Sequence, residues 1–195
     1  MADYATALVK ILRHEGVDIG DDGKPVLGGR IGLSDHPDDP GGATAYGIIR
    51  SVAKENGYAG PMKDIPFPLV KEIYRKRYWD FIHGDEIPDQ EIAEEVFDTA
   101  VNCGATTAGG FLQRTLNAMN GGGQRWPDLL VDGYVGGKTI AALRKALNTA
   151  PYYHIIILRA LDGLQVALYI GLAEKDAKYK SFIPGWLRVR SGVKD

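Results

Sequence analysis

Ala5, Leu8, Ile11 and Leu12 recur at helical spacing behind Asp3, a residue type that caps helix N-termini, and Gly16 supplies a stop. The pattern predicts an amphipathic helix over residues 4–15. Continued one turn beyond Ile11, the apolar stripe lands on Glu15, a carboxylate on the face that otherwise turns inward. Residues 17–44 are rich in glycine, aspartate and proline, with short apolar pieces around Val26 and Ile31, and read as a loop with a small hairpin.

Helical patterning resumes over residues 46–56. It returns in PLVKEIYRKRYWDFI, residues 68–82, where Val70, Ile73, Tyr74, Arg77, Tyr78 and Phe81 share one side. Ile92, Val96, Ala100 and Cys103 mark a further helix, and Phe111, Leu112, Thr115, Leu116 and Met119 another, which three glycines end. DGYVGGKTIAALRKAL reads as a turn and then a helix, Pro151 opens the longest apolar helix, and SFIPGWLRVR closes the chain. Strands do not alternate with helices and no period repeats, so the fold class is mostly α.

Composition narrows the partners. The 195 residues are 45% hydrophobic and 25% charged, the balance of a globular chain, and the formal net charge of -2 supplies no cationic field for nucleic acid. The single cysteine, Cys103, cannot form an intrachain disulfide and reads as a small core residue. The N-terminus lacks the features of a signal peptide, and no stretch reads as a membrane span. The expectation is a monomer made in the cytoplasm that acts elsewhere after release, with no metal and no cofactor.

Three groups of residues carry candidate chemistry. Glu15 would be desolvated on the apolar face and would sit at the negative end of its helix dipole; both favour the protonated form that a general acid needs. From spacing alone an exposed helix-end glutamate fits as well. In HPDDPGGATAYGII, residues 36–49, Pro37 and Pro40 restrict the backbone around Asp38 and Asp39, while Gly41 and Gly42 permit close approach. Thr44 and Tyr46 follow with hydroxyls at fixed offsets.

Tyr78 and Trp79 offer aromatic faces of the kind on which sugars stack, core packing being the alternative for at least one. Asp98 and Asn102, four apart on a helix, either bind acetamido groups of a substrate or fix one part of the fold against another. DGYVGGKT is not a phosphate loop, because Asp132 stands where the first glycine belongs.

The combination HEG at 14–16, DPGGATAYGI at 39–48 and YRKRYWDFI at 74–82 resembles the glycosyl hydrolase family 108 muramidases. VFDTAVNCG, FLQRTLNA, DGYVGGKTIAAL and GWLRVR resemble the helical peptidoglycan-binding region that follows the catalytic part in that family. The resemblance implies a lysozyme-like helical fold with a catalytic region at 1–90 and a peptidoglycan-binding region at 91–195 packed against it. It implies hydrolysis of the glycan strand beside N-acetylmuramic acid, as in phage endolysins and bacterial secretion activators, with Glu15 as general acid and Asp39, or Asp38 in its place, as second carboxylate. Val17 stands where the family motif has a second glycine, and the long stretch from Glu15 to Asp39 implies an extra flap near the site. A lytic transglycosylase and a wall-binding protein that assists secretion remain as alternatives.

Overall fold

The computed structural model describes residues 1–34 and 43–190. The fold is mostly α, with one two-stranded sheet among the described residues. The chain divides into two compact units, Asp3–Asp80 and Phe81–Asp195, the latter joined by Met1–Ala2.

The first unit opens with α1, Tyr4–His14. Asp3 caps it, its carboxylate accepting from the Thr6 amide at 2.8 Å and the Thr6 hydroxyl at 2.7 Å. Ala7, Leu8, Ile11 and Leu12 form the buried stripe, with Ala7 in place of the expected Ala5. A flap follows, pinned by isolated bridges from Val17 to Ile31 and from Ile19 to Pro25 and by the Asp18–Arg30 ion pair at 2.9 Å.

The helix expected over 46–56 is instead a hairpin followed by a shorter helix. β1, Thr44–Ala45, pairs antiparallel with β2, Ile48–Ile49, and α2 spans Arg50–Glu55. Tyr46 and Gly47, the two residues between the strands, have φ of 53° and 71°. Two consecutive positive φ values close a tight hairpin and are incompatible with a right-handed helix.

α3, Phe67–Tyr74, continues as one π-helical turn over Arg75–Trp79. The wider turn rotates the inward face, so the predicted stripe fails after Tyr74. Val70, Ile73 and Tyr74 are buried as expected, but Trp79 and Ile82 are then buried in place of Tyr78 and Phe81, and Phe81 is 42% exposed. A period of 3.6 cannot register one inserted residue.

In the second unit α4, Gln90–Cys103, packs against α5, Ala105–Met119, and both pack on α7, Tyr153–Lys175. α6, Gly137–Thr149, lies on α5, and α8, Ile183–Arg190, on α7. α7 corrects one reading of the sequence: it is long and apolar enough to cross a membrane by length and composition. Arg159 and Asp162 are the only Asp, Glu, Lys or Arg residues from Tyr153 to Ile170. In this fold it buries Tyr153, Ile157, Leu161, Gln165 and Tyr169, a stripe four residues apart, while Ile155, Ile156 and Ile170 stay exposed. Cys103 is half-buried, and burial raises its thiol above the usual range, as suits a packing residue rather than a nucleophile.

Trp79 has no exposed surface, and its ring lies 5.5 Å from that of Tyr4. Trp79→Ala should therefore destabilise by about 3–5 kcal/mol, a fall in Tm of about 10 °C or more, and Trp79→Phe should recover part of it. Calorimetry of both variants checks this; an unchanged Tm would place the ring outside the core.

Candidate active site

Glu15 terminates α1. Its backbone N–H still donates to the Ile11 carbonyl at 3.0 Å, but its own φ and ψ of -77° and 7° leave the helix, and Gly16 at φ 75° turns the chain away, its amide donating to the Arg13 carbonyl at 3.1 Å. The Val17 amide then donates to the Leu12 carbonyl at 2.9 Å, and its side chain is buried. The side chain at the position of the expected second glycine therefore anchors the flap to the core. Gly32 passes directly over the Glu15 backbone; a β-carbon there would lie 2.5 Å from the Glu15 carbonyl oxygen. Next to it, Ile31 accepts from the Tyr46 amide at 2.7 Å, which ties the flap to the hairpin.

The half-buried Glu15 carboxyl comes to rest against the tip of that hairpin. A β-carbon on Gly47 would fall 2.8 Å from Glu15 Oε2 and 2.7 Å from the Tyr74 hydroxyl, so only glycine leaves room for both groups. Tyr74 is buried and donates its hydroxyl proton to the Tyr46 carbonyl at 2.8 Å. Burial, and after it the charge of Glu15, hold the phenol well above its ordinary pKa, so Tyr74 is a neutral donor.

The other expected site residues take different places. The Tyr46 ring is buried and lies 5.9 Å from the Phe67 ring, and its main-chain carbonyl accepts from Tyr74. Thr44 is half-buried in β1, its backbone exchanging hydrogen bonds with Ser34. Tyr78 is half-buried, 5.8 Å from the Tyr74 ring, whereas Trp79 exposes no face. Asp38 and Asp39 lie outside the described residues. Among the described residues no cluster of three or more His, Cys, Asp or Glu is arranged to hold a metal.

A half-buried carboxyl fixed by a helix end and a hairpin tip is the arrangement expected of a positioned proton donor. Residues 8–104 match the family model of Glycosyl hydrolase 108, and residues 107–191 match that of the Predicted Peptidoglycan domain. The chain carries a glycosyl hydrolase family 108 domain. It therefore couples a glycoside hydrolase region to a peptidoglycan domain, the combination of a peptidoglycan hydrolase acting on the cell wall. No curated protein matches it in sequence. Among solved structures it is similar to that of Brucella abortus SagA, at 26% identity and a TM-score of 0.67, covering 97% of this chain and 90% of the other.

The family 108 match runs through α4 and so includes Asp98 and Asn102. Asp98 is buried, while Asn102 is exposed and donates back to the Asp98 backbone carbonyl at 2.8 Å. Two residues at the site escaped the sequence reading. The helical spacing places Tyr74 only on an apolar face, and Gly47 falls within the helix expected over 46–56; the signals available were the tyrosine at the head of YRKRYWDFI and the glycine of TAYGI.

Tyr74→Phe should cost about 1–3 kcal/mol near neutral pH, because it leaves the buried Tyr46 carbonyl without its donor. Above about pH 10 an unfolded tyrosine ionises while folded Tyr74 stays neutral, so the wild type loses stability as pH rises and the Phe variant lacks that loss. The Tm gap between the two should narrow from pH 7 to pH 11; a gap that widens would contradict a neutral Tyr74.

Proposed function

We propose that the chain is an N-acetylmuramidase in which Glu15 is the general acid. The observation that carries this reading is the seat of the Glu15 carboxyl, beside the Tyr74 hydroxyl and over a glycine that leaves space for it. In its acid form Glu15 protonates the glycosidic oxygen as the bond from C1 of N-acetylmuramic acid breaks. The sugar becomes oxocarbenium-like, and a carboxylate across the ring stabilises it, attacks it or activates water. Asp39 is assigned to that task, with Asp38 as substitute. Water supplies the hydroxyl at C1 and a proton that restores the acid pair.

Tyr74 acts through position. Its bond to the Tyr46 carbonyl fixes the hairpin against which Glu15 rests, and the buried hydroxyl limits where the carboxyl can swing. Tyr78, half-buried next to Tyr74, is assigned to stack on a sugar face, and the half-buried Thr44 of β1 to offer a hydroxyl to the substrate.

Glu15→Gln keeps the shape and removes the transferable proton. Clearing of purified sacculi should fall by about 10²-fold or more. Mass spectrometry of wild-type products should show reducing N-acetylmuramic acid with water added. Residual activity within a few-fold of wild type would remove Glu15 from the mechanism, and anhydro ends would make the enzyme a lytic transglycosylase.

A further inference from the structure

In the second unit, two adjoining cavities of about 310 and 400 Å³ share Asp128, Leu129 and Lys138 and together form a groove along α6. Lys138, Ala141, Ala142 and Lys145 line one stretch of it, spaced three, four and seven residues apart, so α6 presents one face there. The opposite wall is Pro127 and Leu129, and the exposed Tyr134 closes one end.

The groove's charges are unequally committed. Asp132 accepts from Gln113 Nε2 at 2.8 Å and from the Tyr134 amide at 2.9 Å, bonds that hold its carboxyl below the usual range. Asp128 accepts from Asn120 Nδ2 at 2.6 Å. Lys138 and Lys145 are exposed, and among the described residues neither forms an ion pair. Gln113, almost fully buried, also accepts from the Gly133 amide at 2.8 Å, so the turn that frames the groove is fixed from beneath.

We infer that this groove binds the peptide stem of peptidoglycan, with Lys138 and Lys145 meeting stem carboxylates. The glycan backbone offers neutral sugars apart from its lactyl attachment points, whereas the stems carry free carboxylates and small apolar side chains. Seven residues of helix separate the two ammonium groups by about 10 Å along the axis, the length of about three residues of extended peptide. Ala141 and Ala142 lie between them on α6 and, with Pro127 and Leu129 of the opposite wall, supply an apolar lining matched to alanine methyl groups rather than to a flat ring. This rests on peptidoglycan as the polymer bound and not on the role of Glu15.

The test uses the full chain carrying Glu15→Gln, so that binding is read apart from cleavage. Lys138→Glu with Lys145→Glu should weaken sedimentation with intact sacculi by about tenfold or more, and sacculi stripped of stems by an amidase should be bound weakly by parent and double variant alike. Unchanged binding by the double variant, or equal retention of stripped and intact glycan by the parent, would overturn the inference. A second readout needs no variant: amide NMR shifts over residues 126–145 should respond to a soluble disaccharide tetrapeptide. Equal shifts with the bare disaccharide would assign the groove to sugar instead. Loss of cleavage in Glu15→Gln with no change on the lysines would sink the groove and leave the muramidase reading standing.

Discussion

The Glu15 carboxyl, the Tyr74 hydroxyl and the α-carbon of Gly47 converge where a β-carbon would lie under 3 Å from both side chains. The arrangement of the first unit follows from keeping that space open. The hairpin must place glycine at its tip, and the residue before it, Tyr46, must take a left-handed conformation that costs about 1 kcal/mol or more. Packing of the Tyr46 ring near Phe67 and the bond from Tyr74 to the Tyr46 carbonyl offset that strain. The acid is thus held by a turn that is itself held by the residue beside the acid.

The π turn after Tyr74 belongs to the same arrangement. A regular helix that buried Tyr74 would continue inward with Tyr78 and Phe81 and carry Trp79 outward. The wider turn lets Tyr74 and Trp79 both be buried, and leaves Tyr78 half-open next to the Tyr74 ring. Trp79 then holds the helix to α1 through Tyr4, whose hydroxyl donates to the Lys71 carbonyl at 2.5 Å. Both ends of the acid-bearing helix are thereby fixed, one by the flap and hairpin and the other by this aromatic contact.

Most of this was legible in the sequence where local periodicity decides structure. α1, α4 and α5 follow their apolar spacing, α6 and α7 fall where the sequence reads as helix, and the Asp3 cap and the Gly16 stop bound the first helix as residue type suggests. Two places were not legible, and both involve a departure from regular backbone. Over Tyr46–Ile49 an apolar run that fits a helix is overridden by two positive φ values, which Tyr46, unlike glycine, gives no reason to expect. At Arg75–Trp79 a single inserted residue shifts the buried face without changing composition. The site residues missed, Tyr74 and Gly47, depend on these two departures. Glu15 was legible because a charge on an apolar stripe is a local anomaly, whereas the space made by Gly47 exists only in three dimensions.

The central claim is that the glycine at the hairpin tip holds the acid in working position, and Gly47→Ala tests it most directly. The added methyl group must displace the Glu15 carboxyl or the Tyr74 hydroxyl, while its intrinsic cost at positive φ is about 1–2 kcal/mol, a few degrees of Tm. Initial rates of sacculus clearing, measured on protein confirmed as folded by calorimetry, should fall by about 10²-fold, out of proportion to the lost stability. A folded Gly47→Ala enzyme that clears sacculi at close to the wild-type rate would contradict the account.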